Sequence, residues 1–166
     1  ADALIEMVDA ETSLVSVIHV NNETGAVNDV ARLAAKVKEK NPRALFHADG
    51  VQAFGKIPFR LTKNIDFYSV SAHKIGGVRG AGALIRGKSK NLFPHIFGGG
   101  QENGLRSGTE NTFAIMQFEA AAKKKFAALA ADLERVRGYN GYFRENLDRE
   151  LFAVISAEDA SPYILS

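Results

Sequence analysis

The run Asp66-Phe67-Tyr68-Ser69-Val70-Ser71-Ala72-His73-Lys74-Ile75-Gly76-Gly77 decides how this chain folds. Phe67, Ser69 and Ser71 alternate with Tyr68, Val70 and Ala72, the period-two pattern of a strand, and glycines at 76, 77, 80 and 82 then open it onto bare backbone. Backbone without side chains lets a ligand approach closely. Open α/β sheets place their sites at such strand ends. Lys74 stands there, and a lysine that loses its proton by desolvation can attack a carbonyl and form a Schiff base with an aldehyde. A solvated strand cap is the plainer reading of the same lysine, so its companions must decide.

Upstream, Ala44 to Ala48 reads as a second short apolar strand, ending in Asp49. The obvious aldehyde for Lys74 is pyridoxal phosphate, and a carboxylate at position 49 can pair with the pyridinium nitrogen of that cofactor and keep it electron-withdrawing. The same aspartate can cap a following helix. Both roles are compatible. His47 and Asp49, two apart on a strand, share a face, but two ligands without a third do not make a metal site.

Around these two strands the pattern is α/β. Leu4 to Val8 reads as a short helix, Asp9 to Thr12 as a loop, and Leu14 to Val20 as a nearly continuous apolar strand expected to be buried on both faces. Asn28 or Asp29 caps a helix whose stripe is Val30, Leu33, Ala34 and Val37, and Asn41-Pro42 stops it. Ala83 to Arg86 is a strand expected to run antiparallel to the Lys74 strand, since only a short connection joins them. The polar run from Gln101 to Asn111 is a loop of the kind that carries function. From Thr112 onward, Phe126, Leu129, Leu133, Val136, Phe143, Leu147 and Leu151 form a core-facing helical stripe, with a kink or break expected at Gly138 and Gly141.

Composition narrows the class. A hydrophobic fraction of 46% in 166 residues is enough for a real core. A formal charge of +2, from 21 basic and 19 acidic residues, leaves no electrostatic footprint for nucleic acid, and Lys123 to Lys125 reads as a solvated helix face. No stretch approaches the length of a membrane span and the N-terminus lacks signal-peptide character, so a membrane is not expected either. The absence of cysteine excludes disulfides and thiolate metal sites. With no initiator methionine, and a strand expected to begin at Ser161 to Ser166, the chain reads as a piece of a larger protein.

Four ordered motifs over about 90 residues carry a specific resemblance. They are Val20-Asn21-Asn22-Glu23-Thr24-Gly25, His47-Ala48-Asp49-Gly50-Val51-Gln52-Ala53-Phe54-Gly55-Lys56, Ser69 to Lys74, and Gly98 to Glu102 with Arg106-Ser107-Gly108-Thr109. Together they closely resemble the cysteine desulfurases, within the class V aminotransferase group of pyridoxal-phosphate enzymes. The resemblance implies a three-layer α/β/α fragment of the fold-type I large domain, with a mostly parallel sheet. It places 1–125 in the C-terminal part of that domain and 126–166 in a connecting helix and the beginning of a small α+β domain.

The resemblance also implies roles. Lys74 would hold the cofactor and move protons on the substrate carbon. Asn22 would reach the cofactor's ring oxygen and a substrate carboxylate, although an asparagine there also suits a turn. Asp49 would meet the ring nitrogen, Gln52 the phenolic oxygen, and Ser71 and His73 the phosphate. Thr109 would reach the phosphate of a neighbouring subunit, implying a homodimer with shared sites. Arg106 would organise its loop by pairing with an acidic neighbour, and His19, His47 and His95 would be packed or hydrogen-bonded. The implied reaction takes sulfur from L-cysteine, leaves alanine and hands the sulfur to an acceptor protein, for iron–sulfur cluster assembly or a related transfer, in the cytoplasm.

Three departures accompany this. Gly77-Val78 stands where the family usually has proline, and a second phosphate loop with an aromatic stacking residue lies outside the sequence. So does the sulfur-accepting cysteine. A related lyase or aminotransferase, of selenocysteine-lyase or kynureninase type, shares most of the cofactor residues. A non-catalytic truncated chain that does not bind the cofactor is the alternative from another class.

Overall fold

The computed structural model describes residues 2–166. Four strands, β1 (Leu14–Ile18), β2 (Leu45–Asp49), β3 (Phe67–Ser71) and β4 (Gly82–Arg86), form one sheet in that order. The β1–β2 and β2–β3 pairs are parallel and β3–β4 is antiparallel. The α/β class, the mostly parallel sheet and the antiparallel turn-back after Lys74 are therefore as the sequence implies.

The alternation of each strand sorts the two faces. Val15, Phe46, Ala48, Tyr68 and Val70 lie on one face and are buried in a single core with Val30, Leu33, Ala34 and Val37 of helix α2 (Val30–Lys40). Helix α2 begins where Asp29 accepts the backbone N–H of Arg32, so of the two cap candidates Asp29 is the one used. Asn41 ends it, and its side-chain amide donates to the carbonyls of Asp9 and Thr12, tying the helix to the loop after α1 (Asp2–Met7). The other face carries Ser16, His47, Asp49, Ser69 and Ser71, none of them fully buried.

β1 departs from expectation. It ends at Ile18, and Leu14 and Ile18 are exposed while Val15 is buried, so one face is covered and not both. The reason is layering: the core with α2 lies on the face of Val15 and Val17, and Leu14 and Ile18 point from the opposite one.

Asp66 fixes the start of β3. Its buried carboxylate accepts from Lys38 at 2.6 Å and from the Phe46 N–H at 2.7 Å, with Lys90 at 2.9 Å on its other oxygen. One carboxylate thus joins α2, β2 and the chain after β4. A buried ion of this kind is stable only because both of its oxygens have donors, two of them cationic.

The second half differs from its sequence reading in three ways. The long helix does not break at Gly138 or Gly141; it breaks at Ala128, between α3 (Thr112–Ala127) and α4 (Leu129–Asn146). Across that joint Asp132 receives Lys125 at 3.0 Å and Arg135 at 2.5 Å, a charged clasp that holds the corner. The stripe is not core-facing throughout: Leu133 is buried, but Phe126, Phe143 and Leu151 are exposed, and Leu147 and Leu151 lie beyond the helix. Residues 161–166 form no strand; Pro162 and Tyr163 make a turn, with the Ile164 N–H donating to the Ser161 carbonyl.

Candidate functional site

Three consecutive strands run parallel, so the segments that follow β1, β2 and β3 all emerge at one edge of the sheet. Asn22, Asp49 with Gln52, and Lys74 are those segments' polar residues. Sequence motifs far apart in the chain thereby share one rim.

The loop after β1 divides its two asparagines. Asn21 Oδ1 accepts the backbone N–H groups of Glu23 and Thr24 at 2.9 Å each and the Thr24 hydroxyl at 3.1 Å, so Asn21 builds the turn. Asn22 is exposed, and no described residue hydrogen-bonds its side chain. The turn role that the sequence allowed for Asn22 belongs to its neighbour.

At the end of β2, Asp49 Oδ1 accepts the Val51 N–H at 2.9 Å, while Oδ2 has no hydrogen-bond partner among the described residues. The next position admits only glycine. A Cβ at Gly50 would lie 2.0 Å from the Tyr68 ring, so the backbone here rests directly on that ring. Tyr68 is pinned in turn, with its hydroxyl 2.8 Å from His19 Nδ1 and its ring stacked on Phe59. Burial and the nearby Asp49 charge raise the phenol far above its ordinary range, and burial lowers the His19 imidazole.

His47 links three strands across the polar face. Its Nδ1 lies 2.8 Å from Ser16 Oγ on β1 and its Nε2 2.8 Å from Ser69 Oγ on β3. Sequence reading placed His47 among hydrogen-bonded histidines, but a strand-spanning bridge is not visible before register is known. His19 is likewise buried and bonded. His95 is not: it is exposed and has no hydrogen bond among the described residues, contrary to expectation.

Lys74 sits on a 3-10 turn (Ala72–Ile75) that caps β3, with Ala72 and Ile75 buried as its anchors and α3 packed behind it. Gly76 closes the turn with φ of 92°, a left-handed conformation suited to glycine. The Lys74 side chain is exposed and forms no ion pair or hydrogen bond with a described residue. Beside it, Ser71 Oγ and His73 Nδ1 are 2.8 Å apart. Whichever of the two donates in that bond, the other keeps an N–H or O–H for a ligand.

Gln52 is half-buried, and its Oε1 accepts from Lys56 Nζ at 2.5 Å. Lys56 is a residue that sequence reasoning quoted within a motif without assigning a role. Its neighbours include Tyr163, whose ring centroid is 5.9 Å away.

Thr109 stands apart from this group in an exposed loop, with no side-chain hydrogen bond among the described residues. The loop is held by its own contacts: Gly108 N–H donates to Gln101 Oε1 at 3.0 Å and Ser107 N–H to the Ile96 carbonyl at 3.1 Å. Arg106 donates to the Ser107 carbonyl at 2.7 Å and not to an acidic neighbour, so the expected ion pair is replaced by a local backbone bond.

Residues near the C-terminus return to the first loop. Ser161 N–H donates to the Gly25 carbonyl at 2.8 Å, and the Ser166 hydroxyl donates to the Glu23 carbonyl. A Cβ on Gly25 would approach Ile164 Cβ at 3.2 Å, so the contact is close as well as polar.

Comparison with known proteins agrees with this fold. A cysteine desulfurase IscS of Plasmodium falciparum is 40% identical over 158 residues, covering 93% of this chain and 28% of that protein. The solved structure of DndA from Streptomyces lividans superposes with a TM-score of 0.90 at 36% identity, over 99% of this chain and 48% of that one. A structure of SspA in complex with cysteine superposes with a TM-score of 0.68 at 35% identity, over 74% of this chain and 35% of that one. The chain thus spans about a third of the length of the curated relatives it matches. The Aminotransferase class-V profile matches residues 1–153, and the chain belongs to that family.

Proposed function

We propose that this chain is the cofactor-holding segment of a pyridoxal-phosphate-dependent cysteine desulfurase. The observation that carries the reading is the shared rim: Asn22, Asp49 and Lys74 follow three parallel neighbouring strands, each with an unused polar atom. The donor set suits the cofactor. Asp49 Oδ2 is an open acceptor for a ring N–H, Lys74 is an open amine for the aldehyde, and the Ser71–His73 pair retains a donor for a phosphate oxygen.

The cofactor, when bound, supplies an electron sink for bond breaking at the substrate carbon. Lys74 would anchor it and would move protons at that carbon. The carboxylate of Asp49 would hold the ring nitrogen protonated, Gln52 and Asn22 would donate to the phenolic oxygen on the ring, and Asn22 would also donate to the carboxylate of L-cysteine. An external thiolate takes the sulfur as a persulfide and alanine remains. Thr109 serves the phosphate of a second subunit in a homodimer, which suits a side chain that is exposed and unbonded here. In keeping with this, residues 1–125 belong to the cofactor domain and 126–166 to the connecting helix and the beginning of a small domain. We place the protein in the cytoplasm, passing sulfur toward iron–sulfur cluster assembly; no helix among the described residues is long and apolar enough to cross a membrane.

The relatives' names favour a desulfurase over the other class V chemistries, and the SspA structure with cysteine supports the substrate. The test is borohydride reduction of the protein with pyridoxal phosphate, followed by peptide mapping. A pyridoxyl group on Lys74, lost in Lys74→Ala, is expected; labelling elsewhere, or none in a polypeptide of the relatives' length, overturns the reading. Alanine formed together with persulfide from L-cysteine separates a desulfurase from a related lyase.

A further inference from the structure

Lys56 is half-buried, and it is held there by a built turn. Gly55, at φ of 68°, brings the backbone so close that a Cβ would sit 3.2 Å from both Ile75 Cγ2 and Lys125 Cβ. The chain is thereby pressed between the Lys74 turn and α3. From that position Lys56 reaches Gln52 Oε1 at 2.5 Å on one side and lies 5.9 Å from the Tyr163 ring centroid on the other. Burial, with Lys74 and Lys125 as cationic neighbours, pushes its ammonium down to about 8.

An ammonium only donates, whereas an amide offers one accepting oxygen and one donating nitrogen. The bond to Lys56 therefore assigns the Gln52 oxygen to the protein and turns the NH₂ group outward. No described residue takes those N–H groups. We propose that Lys56 is a positioning residue which fixes the orientation of the Gln52 amide, so that Gln52 presents donors, and not its carbonyl, to an anionic ligand oxygen at the rim. Without it the amide flips and half of its orientations point an oxygen at an oxygen. The proposal rests on the reading of Gln52 as a cofactor ligand, and the phenolic oxygen of pyridoxal phosphate is the expected acceptor.

Two measurements on the full chain test it. In the first, the side-chain NH₂ resonances of Gln52 are followed by NMR against pH without cofactor. They should titrate with a midpoint near 8 in the wild type, and Lys56→Met should abolish that titration while backbone resonances elsewhere persist. A Gln52 amide that does not titrate, or titrates unchanged in Lys56→Met, overturns the proposal. In the second, affinity for pyridoxal phosphate is measured by equilibrium dialysis for Lys56→Met, Lys56→Arg, Gln52→Leu and the Lys56→Met/Gln52→Leu pair. Lys56→Met should weaken binding about fivefold, the cost of roughly one unfrozen side chain. Lys56→Arg, still a pure donor, should restore most of it. In the Gln52→Leu background Lys56→Met should change nothing further. An equal loss in both backgrounds would show that Lys56 acts on its own and would sink the proposal alone. A Gln52→Leu variant that binds as tightly as wild type would instead remove Gln52 as a ligand, and the proposal with it.

Discussion

Helices α2 and α4 both carry apolar residues at helical spacing, and the structure treats them in opposite ways. α2 buries its whole stripe, Val30, Leu33, Ala34 and Val37, against the sheet. α4 buries Asp132 and Leu133 near its start, and then leaves Tyr139, Tyr142 and Phe143 exposed, the last by 59%. Beyond it Leu151 and Ile155 are also open, and ahead of α3 Phe93 is 87% and Phe97 79% exposed. α2 satisfies its apolar face within the chain; α4 and the segments flanking α3 and α4 present theirs. Spacing tells which face of a helix is apolar, but only the surroundings tell what covers it. The proposed homodimer and small domain would supply such a cover.

The contrast is open to breakage by stability measurements. The largest effect belongs to the sheet half. Asp66→Ala leaves Lys38 and the Phe46 N–H without their acceptor and should cost about 3–5 kcal/mol in denaturant unfolding. Acid should act on the same group. Burial pushes the Asp66 carboxyl up, but bonds from Lys38, Lys90 and Phe46 outweigh it and hold the group below 3.8. The unfolded carboxylate binds its proton first, so the contribution is complete above that value and is lost as pH falls through the folded pKa. Asp66→Asn should flatten this acid limb.

Next, Leu33→Ala opens a cavity in the buried stripe and should cost about 3 kcal/mol. Asp29→Ala removes the cap of the same helix, at about 1 kcal/mol. The smallest effect is expected from Phe143→Ser on α4, within about 0.5 kcal/mol at low protein concentration. A loss at Phe143 as large as at Leu33 would break the contrast, because it would mean that the α4 face is covered in solution. A loss that appears only as concentration rises would sharpen it, by showing that a second copy is the cover.

Legibility followed the same divide. The α2 stripe, its Asn41 stop and the antiparallel β4 were readable because local propensity and burial agree there. The corner at Ala128 was not, since alanine is the strongest helix former and nothing local disfavours continuing; the Lys125–Asp132–Arg135 clasp that holds it is a product of the fold. Gly138 and Gly141, the expected weak points, stay helical with open space around them. At the rim, Lys74, Asp49 and Asn22 stood out because residue type and motif coincide. Lys56 and the Ser16–His47–Ser69 bridge did not, because a lysine four residues past a glutamine and a histidine in a strand acquire meaning only from three-dimensional neighbours.

The bonds from Ser161 to Gly25 and from Ser166 to Glu23 have a kinetic side. The second pair is 143 positions apart. Closing a loop of that length costs about 4 kcal/mol of chain entropy, and such contacts form late because nearer ones must first bring the ends together. On a ribosome the loop bearing Asn22 emerges well before the segment that clamps it. Its final shape is therefore set after β1 to β4 have emerged, and a nascent chain acquires the β2 and β3 corners of the rim before the β1 corner.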